Sequence, residues 1–125
     1  MVKFMTADEM KNRYGIPDEI LEEYHKWELC DAVRMVIGDV LENDYHKYSD
    51  KDLERLGMIM ALHDIGFEAD EVRDYMKYEL QKKDTTSTQV KMLQELRKRT
   101  LDDIHLKEKQ LERIDYLKHK LSVNK

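Results

Sequence analysis

From Val90 to Leu121 apolar residues recur at helical spacing: Val90, Leu93, Leu96, Leu101, Ile104, Leu111, Ile114, Leu117 and Leu121. Nothing else in the chain restricts its fold as strongly. About 35 residues of helix would reach roughly 50 Å. The 125-residue chain has the length of one small domain plus such a helix. A seam that long is too much for the front segment to cover. The second copy of the same helix is the natural cover, which predicts a homodimer through a coiled coil, parallel or antiparallel. The alternative is a tail that folds back on its own domain. The dimerisation residues are then Leu93, Leu96, Leu101, Ile104, Leu111, Ile114, Leu117 and Leu121.

Charge supports a helical reading. Charged residues make up 39% of the chain, well above the usual quarter, so long amphipathic helices fit better than a thick core. One proline and four glycines are too few for a turn-rich β fold. The longest run without charged or strongly polar side chains, Leu56 to Leu62, is too short to span a bilayer, and no membrane association is expected. The single cysteine, Cys30, excludes an internal disulfide framework and points to a reducing cytoplasm. Residues 1–50 carry 6 Lys/Arg against 12 Asp/Glu, whereas residues 85–125 carry 10 against 6. The front is acidic and the tail mildly basic.

Ahead of the long helix the chain reads as short helices. Thr6 and Glu9 have capping-box spacing, and Gly15 supplies the left-handed residue that ends the helix at Tyr14. Pro17 is tolerated where a second helix starts. That helix would run to about Trp27, with Ile20, Leu21 and Tyr24 as its apolar stripe. Two helices across a short Gly/Pro turn outline a helix-turn-helix. Residues 29–48 fit either a helix or a hairpin turning at Gly38-Asp39, with Tyr45 to Tyr48 as its returning strand. Ser49 and Asp52 open a third helix, with Leu53, Leu56, Ile59, Met60 and His63 on one face. Gly66 ends it, flanked by Ile65 and Phe67 placed to pack across the cap. A fourth helix begins near Ala69 and buries Val72, Tyr75 and Met76. Gln81 to Thr88 reads as a joint, and Thr86 with Gln89 as the next capping box.

The residues offer no catalytic constellation. Cys30 has no identifiable histidine partner, and the five histidines lack the close spacing of zinc ligands. There is no phosphate-cradling glycine loop and no nucleophile elbow. The reading is a non-enzyme without metal or cofactor.

Residues 6–76 resemble the DNA-binding domain of the MerR family of bacterial transcription regulators. The run Tyr-Ser-Asp-Lys-Asp-Leu-Glu-Arg-Leu (48–56) is similar to that family's helix opening after the wing. Leu-His-Asp-Ile-Gly-Phe (62–67) is similar to its next turn. Thr6-Ala-Asp-Glu-Met, Gly15-Ile16, Leu21 and Tyr24 fall where the family has its first helix, turn and second helix. Asn43-Asp44-Tyr45-His46-Lys47-Tyr48 falls on the wing's return strand, and the long terminal helix on the dimerisation helix. The resemblance implies a mostly α fold. A winged helix-turn-helix domain with a small β-hairpin wing would span residues 1–80, and a long dimerisation helix residues 85–122. It implies a homodimer on double-stranded promoter DNA, which it distorts to realign elements read by RNA polymerase. Carried over by position, the DNA contacts are Arg13, Tyr24, Arg34, Tyr45, His46 and Lys47.

The second helix departs from the family pattern. Glu19 and Glu22 stand where arginines are common, Glu23 where a second tyrosine is common, and His46 replaces a wing arginine. Four acids against Lys26 disfavour approach to phosphate. The alternative function is therefore a protein-interaction module on the same scaffold, using this acidic helix.

Overall fold

The computed structural model describes residues 4–29, 36–37, 40–41 and 48–123. They fall into two compact units, Met1–Lys82 and Lys83–Lys125.

In the first unit α1 (Ala7–Tyr14) opens on the expected capping box. The Glu9 amide donates to the Thr6 hydroxyl while the Glu9 carboxylate accepts from the Thr6 amide. After Gly15, α2 (Asp18–Lys26) starts behind Pro17, whose extended backbone and missing N–H suit the position. α3 (Asp50–Asp64) opens on a second capping box, Ser49 with Asp52. α4 (Ala69–Glu79) follows, its entry held by the Glu68 amide donating to the Glu71 carboxylate at 3.0 Å. α3 packs on both α2 and α4. The core between them holds Met10, Ile16, Leu21, Tyr24, Leu56, Ile59, Leu62, Phe67, Val72 and Met76. Tyr75 is half-buried, and Ile65, expected to pack across the α3 cap, is 49% exposed. Phe67 alone turns inward there.

Three helices of this unit end alike. A residue with positive φ, Gly15 (65°), Glu28 (58°) or Gly66 (104°), follows α1, α2 and α3. Next comes a buried apolar residue, Ile16, Leu29 or Phe67. Its amide donates back into the helix, to the carbonyl of Met10, Tyr24 or Leu62, at 3.3 Å in each case. The arrangement uses up last-turn carbonyls and swings the chain back over the core. At α2 the left-handed position is taken by glutamate, where a Cβ costs roughly 1 kcal/mol or more.

β1 (Val36–Ile37) pairs antiparallel with β2 (Val40–Leu41), Val36 opposite Leu41 and Ile37 opposite Val40. The two strands flank Gly38-Asp39, where the sequence offered a hairpin, and of the expected return strand at 45–48 only Tyr48 is among the described residues. Tyr48 instead forms an isolated antiparallel bridge with Met5, exchanging backbone hydrogen bonds of 2.7 and 2.6 Å. Cys30, Arg34, Tyr45, His46 and Lys47 lie outside the described residues.

The second unit is one helix, α5 (Thr86–Val123), of 38 residues, about 57 Å long. It begins inside the expected joint. Thr86 is its first residue rather than its cap, and the Asp84 carboxylate accepts from the Thr86 amide at 2.9 Å. Hydrogen bonds from the Thr86 side chain and then from its amide hold the Asp84 carboxyl below the usual carboxylate range. Gln89 and Leu96 are buried. Val90, Leu93, Ile104, Leu111, Ile114, Leu117 and Leu121 are exposed, Leu121 by 74%. Val90, Ile104 and Leu111 belong to one seven-residue register, and Leu93, Ile114 and Leu121 to the other register of a coiled-coil seam. Arg97, Thr100, Lys107 and Lys118 occupy its remaining positions. No helix among the described residues is long and apolar enough to cross a membrane.

Candidate nucleic-acid interface

α2 is tied down along its inner side. Leu21 and Tyr24, three residues apart, share the face turned to the core. Tyr24 is 0% exposed. Its hydroxyl donates to Asp52 Oδ1 at 2.6 Å. Asp52 is itself buried, and its Oδ2 accepts from the Ser49 amide at 2.9 Å. One carboxylate thereby caps α3 and anchors α2. The neighbouring His25 is hydrogen-bonded through Nε2 to the Tyr48 hydroxyl, and the two rings lie 5.6 Å apart. His63 on α3 bonds Glu23 Oε1 through Nε2 at 3.0 Å. Arg55 donates to the Leu29 carbonyl at 3.1 Å, holding the chain where it leaves α2. Among the described residues no buried side-chain nitrogen or oxygen lacks a partner.

Tyr24, carried over by the resemblance as a DNA contact, is buried against α3. In this structure its ring is core and its hydroxyl belongs to Asp52. The same spacing that marked it as a motif residue also makes it the inner neighbour of Leu21. Arg13 is exposed at the end of α1. Arg34, Tyr45, His46 and Lys47 fall outside the described residues.

The acidity of α2 also changes meaning. Asp18 pairs with Lys11 of α1 at 2.9 Å, and Glu23 is turned to His63. Besides Asp18, which stays exposed in its pair with Lys11, α2 presents Glu19, Glu22 and Lys26 outward, all exposed. Their spacing of three and four places them on one stripe opposite Leu21 and Tyr24. Lys26 was missed in the sequence. Its place one turn beyond Glu22 was the available signal.

Elsewhere the site offers little chemistry. Tyr75 on α4 has its hydroxyl pKa raised, first by burial and then by the Glu79 charge. A shallow hollow of about 350 Å³ is lined by Lys51, Glu54, Arg55, Met58, Met76, Glu79 and Leu80. No cluster of side chains suited to a metal occurs among the described residues.

A helix, a tight turn and a second helix with one outward polar stripe, clamped on a third helix, form a helix-turn-helix head. The family model described as MerR HTH family regulatory protein matches residues 5–79. The chain belongs to the MerR family. Its first unit is the helix-turn-helix domain of a DNA-binding transcription regulator, a domain that binds double-stranded DNA. No curated protein and no solved structure matches the chain significantly. The four helices among the described residues of the first unit lie within the matched span.

Proposed function

We propose that this MerR-family protein regulates transcription as a homodimer on promoter DNA, with α2 of each protomer in a major groove. The observation that carries the reading is the clamped α2. Tyr24, His25 and Glu23 each bond to Tyr48 or α3, so the outward stripe is presented on a rigid element. The exposed apolar seam of α5 supports pairing with a second copy. That pairing would join two heads for a pseudo-palindromic site. Arg13 is the proposed phosphate contact among the described residues. Arg34, Tyr45, His46 and Lys47 are proposed for the segment after α2, together with the hairpin wing. Tyr24 acts by positioning α2.

The test is fluorescence anisotropy of the full chain with duplex from upstream of its own gene, titrated with salt, against a random duplex of equal length. Specific binding that weakens steeply with salt is expected, the slope counting neutralised phosphates. A dimeric protein that binds neither duplex at low salt overturns the reading. It would favour instead an interaction module whose outward Glu19 and Glu22 meet a basic partner.

A further inference from the structure

We infer that the outward stripe of α2 sets base preference, Glu19 and Glu22 accepting from cytosine N4 and Lys26 donating to guanine. The inference rests on the DNA-binding reading above and specifies what that head selects.

The argument is one of elimination followed by chemistry. Of the polar groups on α2, Asp18 is engaged by Lys11, Glu23 by His63, Tyr24 by Asp52 and His25 by Tyr48. Glu19, Glu22 and Lys26 remain on the outer stripe and are exposed. A helix entering a major groove brings such a stripe to the base edges. An ionised carboxylate only accepts hydrogen bonds. Guanine N7 and O6 and thymine O4 are acceptors and repel it. Adenine sets an N7 acceptor beside its N6 donor, so the second carboxylate oxygen meets repulsion there. Cytosine presents its N4 donor alone. An ammonium only donates, and guanine offers two adjacent acceptors.

The same residues suppress indiscriminate binding. A carboxylate gains nothing from phosphate and is repelled by it, so a sequence that lacks cytosine at the right place collects the repulsion without the hydrogen bond. Discrimination thus comes in part from a penalty against wrong sites. Arginine at these positions would raise affinity for every duplex alike.

The experiment is selection of bound duplexes from a pool with a randomised core. The full-length protein is used at low salt, alongside Glu19→Gln and Glu22→Gln. Both positions are exposed, so the variants should keep the native circular dichroism spectrum. The unaltered protein is expected to enrich cytosine at one or two positions per half-site. Each glutamine variant should move one of those positions toward adenine, which glutamine reads through N6 and N7. N4-methylcytosine placed there carries its methyl in the groove when paired, and should weaken binding about tenfold. Enriched sites unchanged in both variants and indifferent to N4-methylation overturn the inference while leaving the DNA-binding reading in place. Retention of no duplex by the unaltered protein overturns both.

Discussion

The two units handle apolar surface in opposite ways. Among the described residues of the first unit the helices turn their apolar faces to one another, and left-handed turns fold Ile16, Leu29 and Phe67 back over that core. In α5 nearly the whole apolar stripe faces outward over about 57 Å, with Leu111, Ile114, Leu117 and Leu121 all more than half exposed. Periodicity looks alike in both places, since Leu53, Leu56 and Ile59 recur as Leu111, Ile114 and Leu117 do. Whether a stripe is a core or an interface depends on what the rest of the chain has to cover it. Among the described residues the first unit covers its own stripes, and for that of α5 the cover proposed above is a second copy.

The strongest way to break that contrast is to charge the seam. Leu111→Asp with Ile114→Asp should weaken the proposed dimer on the order of a thousandfold, because two unpaired carboxylates per chain would enter the interface. Sedimentation should then find monomers whose first unit keeps its near-ultraviolet dichroism. A dimer that survives this double change would move the interface elsewhere. Next in size, Leu56→Ala should cost the first unit about 2–5 kcal/mol in urea unfolding and leave the α5 association intact. A single shared transition for both units would contradict their independence. Tyr24→Phe should cost about 1–3 kcal/mol, since buried Asp52 loses a donor, and it should reduce DNA affinity through the placement of α2. An unchanged unfolding midpoint would show the hydroxyl to be dispensable. The smallest effect has the opposite sign. Gly57 lies exposed within α3, and an added Cβ meets nothing within 4 Å. Gly57→Ala should stabilise the first unit by roughly 1 kcal/mol, read as a higher urea midpoint.

The features legible in the sequence were those whose causes are local. Thr6 with Glu9 and Ser49 with Asp52 lie three residues apart, and both capping boxes form. Gly15 and Gly66 mark helix ends because little but glycine is at ease there. Glu28 takes the same conformation after α2 with no such mark, held in register by Leu29 and by Arg55 on the Leu29 carbonyl. At the start of α5, Asp84, Thr85 and Thr86 are all plausible caps, and it is the Asp84 carboxylate that accepts from the Thr86 amide. The site was harder to read. Tyr24 meets Asp52 across 28 positions and His63 meets Glu23 across 40, separations that no spacing rule covers. Counting charge along α2 gave a helix hostile to DNA. The fold turns two of its four acids toward Lys11 and His63, which only packing could reveal.

Asp52 joins two events that a sequence keeps apart. Its Oδ2 holds the Ser49 amide at the start of α3, and its Oδ1 holds the Tyr24 hydroxyl on α2. If α2 lifts away, a buried carboxylate loses a donor and becomes open to water, and the first turn of α3 loosens with it. The Ser49 and Asp52 amides should therefore exchange with solvent deuterium at the rate at which α2 departs, rather than at the fraying rate of an ordinary helix end. Two amides at the start of α3 become a clock for the opening of the recognition head. Duplex DNA that grips α2 should slow that clock without touching either residue.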